Sequence, residues 1–296
     1  MLMTYLPDVH YNHRYSWASD HPIGRRKMLG VSSLGAIGLV SSISAASAFA
    51  QTAPASGQAV KLTLLLRRNP AHIENVWLAA LERLAQDTAK LAPIVPGLLA
   101  RRVNRALGYQ SPIANAAASA FDAADEFVFD TLADLERFTA SAQFAELTMP
   151  RDLLLDGQSE AAVGRWVVLH QQAAPAARPI KIMTLPKRAA HMTQAQFAQY
   201  WVHTHGQLAL AHAPTRNERL WRTEFSPNLD AVAIAGYAGP SFDGVGCIWF
   251  RDEEALKAEF SDSYYTRVMA PDEPKFTNPA ASSVIPSLEL TAWRRT

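Results

Sequence analysis

One segment of the sequence combines imidazole and large aromatic side chains at helical spacing. If residues 193–212 form a helix, Phe197, Trp201, His205, Leu208 and His212 follow at steps of three or four residues and share one face. Such a face is typical of an apolar pocket with few polar groups. His205 could act there as a general base or acid, because imidazole titrates near neutral pH. The spacing leaves open a core histidine bonded to a backbone carbonyl.

The histidines of this segment do not form a metal-binding pattern. His203 and His205 are two residues apart, about 200° round a helix, so they face nearly opposite directions. His205 and His212 share a face but are separated by about 10 Å, too far to bind one ion together. Cys247 is the only cysteine, which excludes a cysteine-based zinc site. We therefore assign no metal and no cofactor, and we expect His203 at the surface or in an interface.

A carboxylate could orient the imidazole, as in many acid–base pairs. Asp272 and Glu273 follow Pro271 near the end of the last predicted helix, where a helix cap or surface turn is the alternative. We assign Asp272 to catalysis together with His205. The residues assigned to substrate binding are Phe197, Trp201, His212 and Arg222.

These candidates lie in the second of two similar halves. An offset of 121 residues relates 121–130 to 242–251, and an offset of 120 relates 61–63 to 181–183 and Arg102 to Arg222. One spacing that links several separate segments indicates a tandem repeat.

The two copies differ where the candidate chemistry lies. At the positions of Trp201 and His205 the first copy has Ala80 and Leu84. The fold therefore does not require the polar residues of the second copy, and this asymmetry favours a functional site there.

Each half predicts the element order β-α-β-β-α-β. The first half predicts strands at 60–66, 98–107, 126–129 and 166–169, and helices at 73–91 and 132–144. The second half predicts strands at 180–185, 219–225, 246–250 and 288–293, and helices at 194–212 and 253–259. This order is that of an α+β, ferredoxin-like unit with both helices on one sheet face. Two units packed sheet to sheet would bury the other face, whereas two independent domains would leave it exposed.

The start of the sequence is predicted to be an export signal. Arg25 and Arg26 precede a mildly apolar run that ends at a small-x-small cleavage site, residues 48–50. Paired arginines point to the twin-arginine pathway and so to the periplasm, with an uncleaved membrane anchor as the alternative. The predicted boundaries are a signal at 1–50, a linker at 51–58, a degenerate first repeat at 59–172, a linker at 173–179 and the second repeat at 180–296.

Composition agrees with a globular protein and excludes one class of partner. Hydrophobic residues make up 49% and charged residues 19% of the sequence, which is not the balance of a disordered chain. The net charge of +1 provides no basic surface for nucleic acid.

Three motifs of the second half carry a resemblance to a known family. Residues 197–206 read FAQYWVHTHG, residues 242–244 read FDG, and residues 271–273 read PDE, with Phe276 after them. This pattern resembles the EthD family over about residues 178–295. The resemblance implies a dimeric α/β barrel, which the tandem would form within one chain as a pseudo-dimer. It also implies cofactor-free chemistry on polyketide or aromatic intermediates, whereas more distant barrels bind haem.

The sequence thus predicts an exported enzyme that needs no cofactor and acts on a small hydrophobic or aromatic molecule. His205 would be its acid–base group, in an oxidoreductase, dehydratase, decarboxylase or isomerase type of reaction. Cys247 stands where the family often has an acidic residue, and Gln207 stands where it often has a proline, so the reaction does not follow from the resemblance. The alternatives are a small-ligand or haem-binding protein of the same barrel class and a non-catalytic scaffold. A homodimer of the whole chain stays open.

Overall fold

The computed structural model describes residues 58–91, 94–108, 117–173, 179–230 and 232–295. The predicted export signal lies outside these ranges, as do most of both predicted linkers, and their assignments remain predictions. Within the described ranges, no helix is both long enough and apolar enough to cross a membrane.

The first unit has the predicted β-α-β-β-α-β order, with its second helix divided in two. Its elements are β1 (Val60–Leu66), α1 (Glu74–Leu91), β2 (Leu98–Ala106), the short β3 (Ala117–Ala118), β4 (Ala123–Phe129), α2 (Leu132–Thr139), α3 (Ala142–Leu147) and β5 (Glu160–Arg165). The strands lie in the order β5-β1-β4-β2. This antiparallel arrangement is that of a ferredoxin-like unit.

The second unit repeats this arrangement. After β6 (Val167–Gln171), its elements are β7 (Ile180–Leu185), α4 (Gln194–Tyr200), α5 (Gly206–Ala211), β8 (Leu220–Pro227), β9 (Gly244–Phe250), α6 (Glu253–Ser261), α7 (Ala270–Asp272) and β10 (Ser283–Arg294). Its strand order, β10-β7-β9-β8, matches that of the first unit position by position.

The last strand of each unit crosses to the other unit. β10 pairs with β7 through Ser283–Ser287 and with β2 through Ser287–Arg294. In the same way β5 pairs with β1, and β6, which follows it after Trp166, pairs with β8. The antiparallel sheet therefore closes almost completely on itself. The predicted fold, two ferredoxin-like units that form an intramolecular α/β barrel, is confirmed.

The prediction for the fourth strand of the first unit was wrong. It was placed at 166–169, but the strand that completes this unit is β5, at Glu160–Arg165. β5 has the sequence EAAVGR, and its alanines and glycine have a low strand propensity. The more hydrophobic run after Trp166 forms β6 instead, which pairs with the second unit.

Both faces of the central strands are buried, and they differ in character. Every residue of β1 is buried. Because side chains alternate along a strand, Leu62 and Leu64 pack against the helices of the first unit while Lys61 and Thr63 point into the barrel. The helices thus cover an apolar outer face, and the barrel interior is partly charged.

The charges inside the barrel are paired across the two units. Glu126 of the first unit accepts a hydrogen bond from Lys61 Nζ at 2.9 Å and another from Lys181 of the second unit. Glu224 of the second unit forms an ion pair with Arg102 of the first, at 3.0 Å. Burial opposes ionisation of Glu224, but Arg102, Lys61 and other cations outweigh it and lower its pKa to about 2. The interior is a network of ionised groups common to both units.

Candidate functional site

The helix that carries His205 is not a uniform α-helix. It begins at a capping box in which Thr193 and Gln196 bond each other's backbone N–H groups. A π-helical turn, Trp201–His205, then separates α4 from α5. Two further π-helical turns, Thr215–Arg219 and Tyr265–Met269, also belong to the second unit. Such turns are rare and frequent at functional sites, and all three of these contribute side chains to one cavity.

The cavity lies between the helices and the outer sheet face of the second unit and measures about 130 Å³. A cavity of roughly 150 Å³ lined by apolar side chains holds one benzene molecule, so the space suits a single ring. Its polar groups include those of His205, Glu273, Glu259 and Thr215. Its main apolar walls are formed by Trp201, Leu210, Phe225, Phe250, Phe260 and Phe276.

Two glycines of β9 allow the indole of Trp201 to lie flat on the sheet. A Cβ atom at Gly244 would approach Trp201 to 2.5 Å, and one at Gly246 would approach it to 3.0 Å and Thr184 to 2.3 Å. The indole stacks on Phe225 with ring centroids 4.4 Å apart. Gly244, the glycine of the Asp-Gly motif and the first residue of β9, therefore leaves the space in which Trp201, a wall of the cavity, packs.

His205 and Asp272 meet at the edge of the cavity. His205 Nδ1 lies 3.0 Å from Asp272 Oδ2, and the other carboxylate oxygen accepts bonds from Tyr200 at 2.8 Å and Lys275 at 3.0 Å. The bond from His205 is the largest influence that lowers the pKa of Asp272 well below its usual range, against the effect of burial. An ionised Asp272 accepts a hydrogen bond from Nδ1–H, which leaves the lone pair of the neutral imidazole on Nε2.

Glu273, next in sequence, has the opposite electrostatic environment. It lies among apolar cavity walls and accepts a hydrogen bond from Tyr265 at 3.3 Å. Burial is the main cause that raises its pKa to about 7, and the neighbouring charge of Asp272 adds to the rise. At neutral pH its carboxyl group is therefore protonated in a large fraction of molecules.

A second polar group of the cavity is anchored by a cation. Glu259 accepts hydrogen bonds from Thr215 at 2.7 Å and from Arg219 at 3.0 Å. His212 Nδ1 lies within hydrogen-bond distance of the Thr215 hydroxyl group, at 3.0 Å, and the His212 ring stacks on Tyr264, with ring centroids 4.4 Å apart. His212 thus supports the cavity wall without lining it.

The structure brings together some of the predicted site residues and separates others. His205, Asp272 and Trp201 meet at or beside the cavity. Phe197 is fully buried behind Trp201, with ring centroids 5.2 Å apart. Arg222 lies on the opposite sheet face, inside the barrel, where its Nε donates to Glu224 at 2.6 Å. Of the four residues predicted to bind substrate, Trp201 alone lines the cavity.

The sequence does not identify Thr215, Glu259 or Glu273 as cavity residues. It offers Glu273 only as an alternative to Asp272 for orienting His205, and Thr215 and Glu259 are separated in sequence by 44 residues. No sequence periodicity links Thr215 to Glu259. The two residues meet because α6, which carries Glu259, packs beside the π-helical turn at Thr215–Arg219.

The corresponding space in the first unit is filled. Leu84, at the position of His205, packs in a continuous core with Trp77, Leu81 and Phe138. The described residues contain no group of three or more His, Cys, Asp or Glu side chains arranged to hold a metal ion. In the barrel interior, burial raises the pKa of the Cys247 thiol to about 11, so it is not a nucleophile at neutral pH.

The fold is that of the dimeric α/β-barrel class. The structure is similar to that of a "putative monooxygenase" from Fusobacterium nucleatum subsp. nucleatum ATCC 25586, with a TM-score of 0.53 and 8% identity over 81% of this chain and 95% of that one. It is also similar to an anthrone oxidase-like protein, with a TM-score of 0.52 and 10% identity over 80% of this chain and 93% of that one.

Sequence comparison gives a more specific assignment for the second unit. Residues 189–280 match the family model of the EthD domain. This range includes the helix of His205, the Asp-Gly motif and Asp272. No curated protein sequence matches the chain.

Proposed function

We propose that this protein is an enzyme that needs no cofactor and transforms a ring-sized, mainly apolar molecule in the cavity of its second unit. His205 acts as the acid–base group and Asp272 holds its ring. The observation that carries this proposal is the 3.0 Å contact between His205 Nδ1 and Asp272 Oδ2 at the edge of the cavity. It fixes one tautomer and presents the other ring nitrogen as a base.

The size of the cavity argues for this function over haem binding. At about 130 Å³ the cavity holds one ring, whereas a porphyrin has four pyrrole rings. The cavity residues therefore do not fit a haem group, and we derive no step through one.

The proposal is tested by screening small ring compounds. Phenols, ring ketones, hydroxylated ring ketones and aromatic acids are tested for thermal stabilisation of the protein and for turnover. His205→Ala is expected to lower the turnover of any substrate found by about 10²–10⁴-fold, the usual contribution of acid–base catalysis. His203→Ala, an exposed histidine of the same π-helical turn, is the matched control and is expected to have no effect.

Turnover by His205→Ala at the wild-type rate would exclude His205 as the acid–base group. Compounds that stabilise the protein without turnover would instead indicate a small-ligand-binding protein of the same class.

We also propose that the two units arose by duplication and that the chain is exported by the twin-arginine pathway. Arg25 followed by Arg26 before an apolar run supports export. Replacing both with lysine is expected to leave the protein in the cytoplasm, as fractionation and immunoblotting would show. Unchanged export of that variant would contradict the proposal.

A further inference from the structure

A second acid–base group faces the cavity close to His205. Glu273 directly follows Asp272, the residue bonded to His205, and its backbone carbonyl accepts the N–H of Phe276 at 3.2 Å. The ring of Phe276 lies 4.7 Å from the His205 ring. Both His205 and Glu273 line the cavity. One short segment, residues 272–276, therefore supplies the group that holds His205, the second acid–base group and an apolar wall beside His205.

Glu273 differs from the other carboxyl group of the cavity in its partners. Glu259 is an ion-pair partner of Arg219 at 3.0 Å and accepts a hydrogen bond from Thr215 at 2.7 Å. The partner of Glu273 is the hydroxyl group of Tyr265, at 3.3 Å. Of these two carboxyl groups, Glu273 is therefore the one suited to carry and release a proton.

We propose that Glu273 is the proton donor of this site and that the substrate class is a cyclic ketone with hydrogen on the carbon next to the carbonyl group. This inference rests on the proposed function of His205 and adds the second group, the substrate class and the reaction type.

The reaction is an enolisation in which protons and electron pairs balance. His205 Nε2 takes a proton from the carbon, the electrons of that C–H bond form the C=C bond, and the carbonyl oxygen takes the proton of Glu273. The site then holds an imidazolium and a carboxylate. The site returns to its initial state when the imidazolium, after exchanging its proton with solvent, returns a proton to the same carbon and the carboxylate takes back the proton of the enol oxygen, which regenerates the ketone. No oxidant or reductant is required.

The cavity fits this substrate class in both size and polarity. Its volume corresponds to about one six-membered ring. Its aromatic walls bind the apolar part of the ring, and one donor and one base match a carbonyl oxygen and the adjacent C–H bond. A protonated carboxyl group in an apolar site donates a hydrogen bond that strengthens as charge develops on the oxygen.

The experiment measures, by proton NMR, the exchange of the α-hydrogens of cyclohexanone for deuterium in D₂O in the presence of the full chain. Wild-type protein is compared with His205→Ala, Glu273→Gln and Glu273→Asp. Glu254→Gln is the matched control, since the Glu254 side chain is 86% exposed. Folding of each variant is checked by thermal unfolding.

We expect Glu273→Gln to lower the exchange rate at least about 100-fold. Glu273→Asp, which keeps a carboxyl group one methylene shorter, is expected to lose less, and Glu254→Gln nothing. The wild-type rate should also fall as the pH rises through about 7, where Glu273 loses its proton. This alkaline limb should be absent from Glu273→Gln. The titratable groups around Glu273 are Tyr265, Asp272, His205 and Glu259.

Three results would overturn the inference, each in a different way. If His205→Ala loses exchange while Glu273→Gln keeps a near wild-type rate, Glu273 is excluded as the proton donor and the proposed function stays intact. No exchange above the buffer rate by the wild type would remove the substrate class. Wild-type exchange that neither substitution changes would remove both the inference and the proposed function.

Discussion

Two adjacent carboxyl groups, Asp272 and Glu273, have opposite proton affinities because their side chains point into different surroundings. Asp272 accepts bonds from three donors, and its pKa falls. Glu273 lies among aromatic walls and accepts a hydrogen bond from the Tyr265 hydroxyl group, and burial raises its pKa to about 7. When the environment shifts the pKa values of two neighbouring groups in opposite directions, the shifts indicate which group can act as an acid and which stays ionised.

Replacing Asp272 with asparagine is expected to leave the shape of the site but remove the charge that holds His205. The amide can bond either tautomer, so Nε2 is no longer reliably the base. We expect kcat to fall by about 10²–10⁴-fold for the substrate identified, with a smaller change in KM. Asp156→Asn, an exposed aspartate of the first unit, is the control. Unchanged kcat in Asp272→Asn would show that Asp272 only caps the helix end.

Glu273→Gln is expected to stabilise the protein at alkaline pH. In the unfolded chain Glu273 ionises near 4.5, whereas in the folded state it stays protonated to about 7. The folded state therefore loses stability relative to the unfolded one as the pH rises from 4.5 to 7. The variant lacks this loss, so its Tm relative to wild type should increase between pH 4 and pH 8. A change of about 1 kcal/mol corresponds to about 2–4 °C in a domain of this size. A pH-independent Tm difference would contradict the raised pKa.

At the scale of elements, strand and helix positions were largely predictable, but the interruptions of the helices were not. The predicted helix at 194–212 exists as α4, a π-helical turn and α5. A π-helical turn contains about one residue more than an α-helical turn. A helical face calculated from α-helical spacing therefore includes the wrong residues after this turn. This is why Leu210 lines the cavity and the predicted Leu208 and His212 do not. Apolar periodicity carries no signal of such an insertion, because the flanking turns are ordinary α-helix.

The packing of Trp201 against the glycines of β9 gives a prediction at the same scale. Gly246→Ala places a methyl group 3.0 Å from the indole and 2.3 Å from Thr184, so the free energy of unfolding should fall by about 1–3 kcal/mol. Gly239→Ala is the control, since no atom lies within 4 Å of its added Cβ. Urea unfolding of the two variants measures the difference. Equal midpoints would show that the indole moves aside at no cost.

At the scale of the molecule, the two units differ in which strand carries an acidic residue of the barrel interior. Glu126 of β4 occupies the position of Cys247 in β9, and Arg102, which lies opposite Glu126 on β2, occupies the position of Glu224, which lies opposite Cys247 on β8. Of these paired positions, the acidic one is on β4 in the first unit and on β8 in the second. Glu126 bonds the lysines of both units, and the Cys247 thiol donates to it at 3.2 Å. A single carboxylate serves both halves, which a symmetric pair of separate chains could not arrange.

Replacing Glu126 with glutamine is expected to destabilise the whole barrel. Lys61 and Lys181 would be left buried beside an uncharged amide, and breaking a buried ion pair from one side costs about 3–5 kcal/mol. Glu254→Gln is the exposed control, with an expected change within about 0.5 kcal/mol. Because the network joins both units, unfolding in urea should be a single transition with coincident fluorescence and circular dichroism. Two separated transitions would show that the units unfold independently.

The crossing of β10 to the first unit has a consequence for synthesis on the ribosome. The edge of β2 is covered by residues 287–294, which are translated almost two hundred residues later. β8, in contrast, pairs with β6, which is translated before it. A nascent first unit therefore has an open strand edge, a site of unwanted pairing, until residues 287–294 have emerged. Completion of the barrel thus waits for the translation of β10.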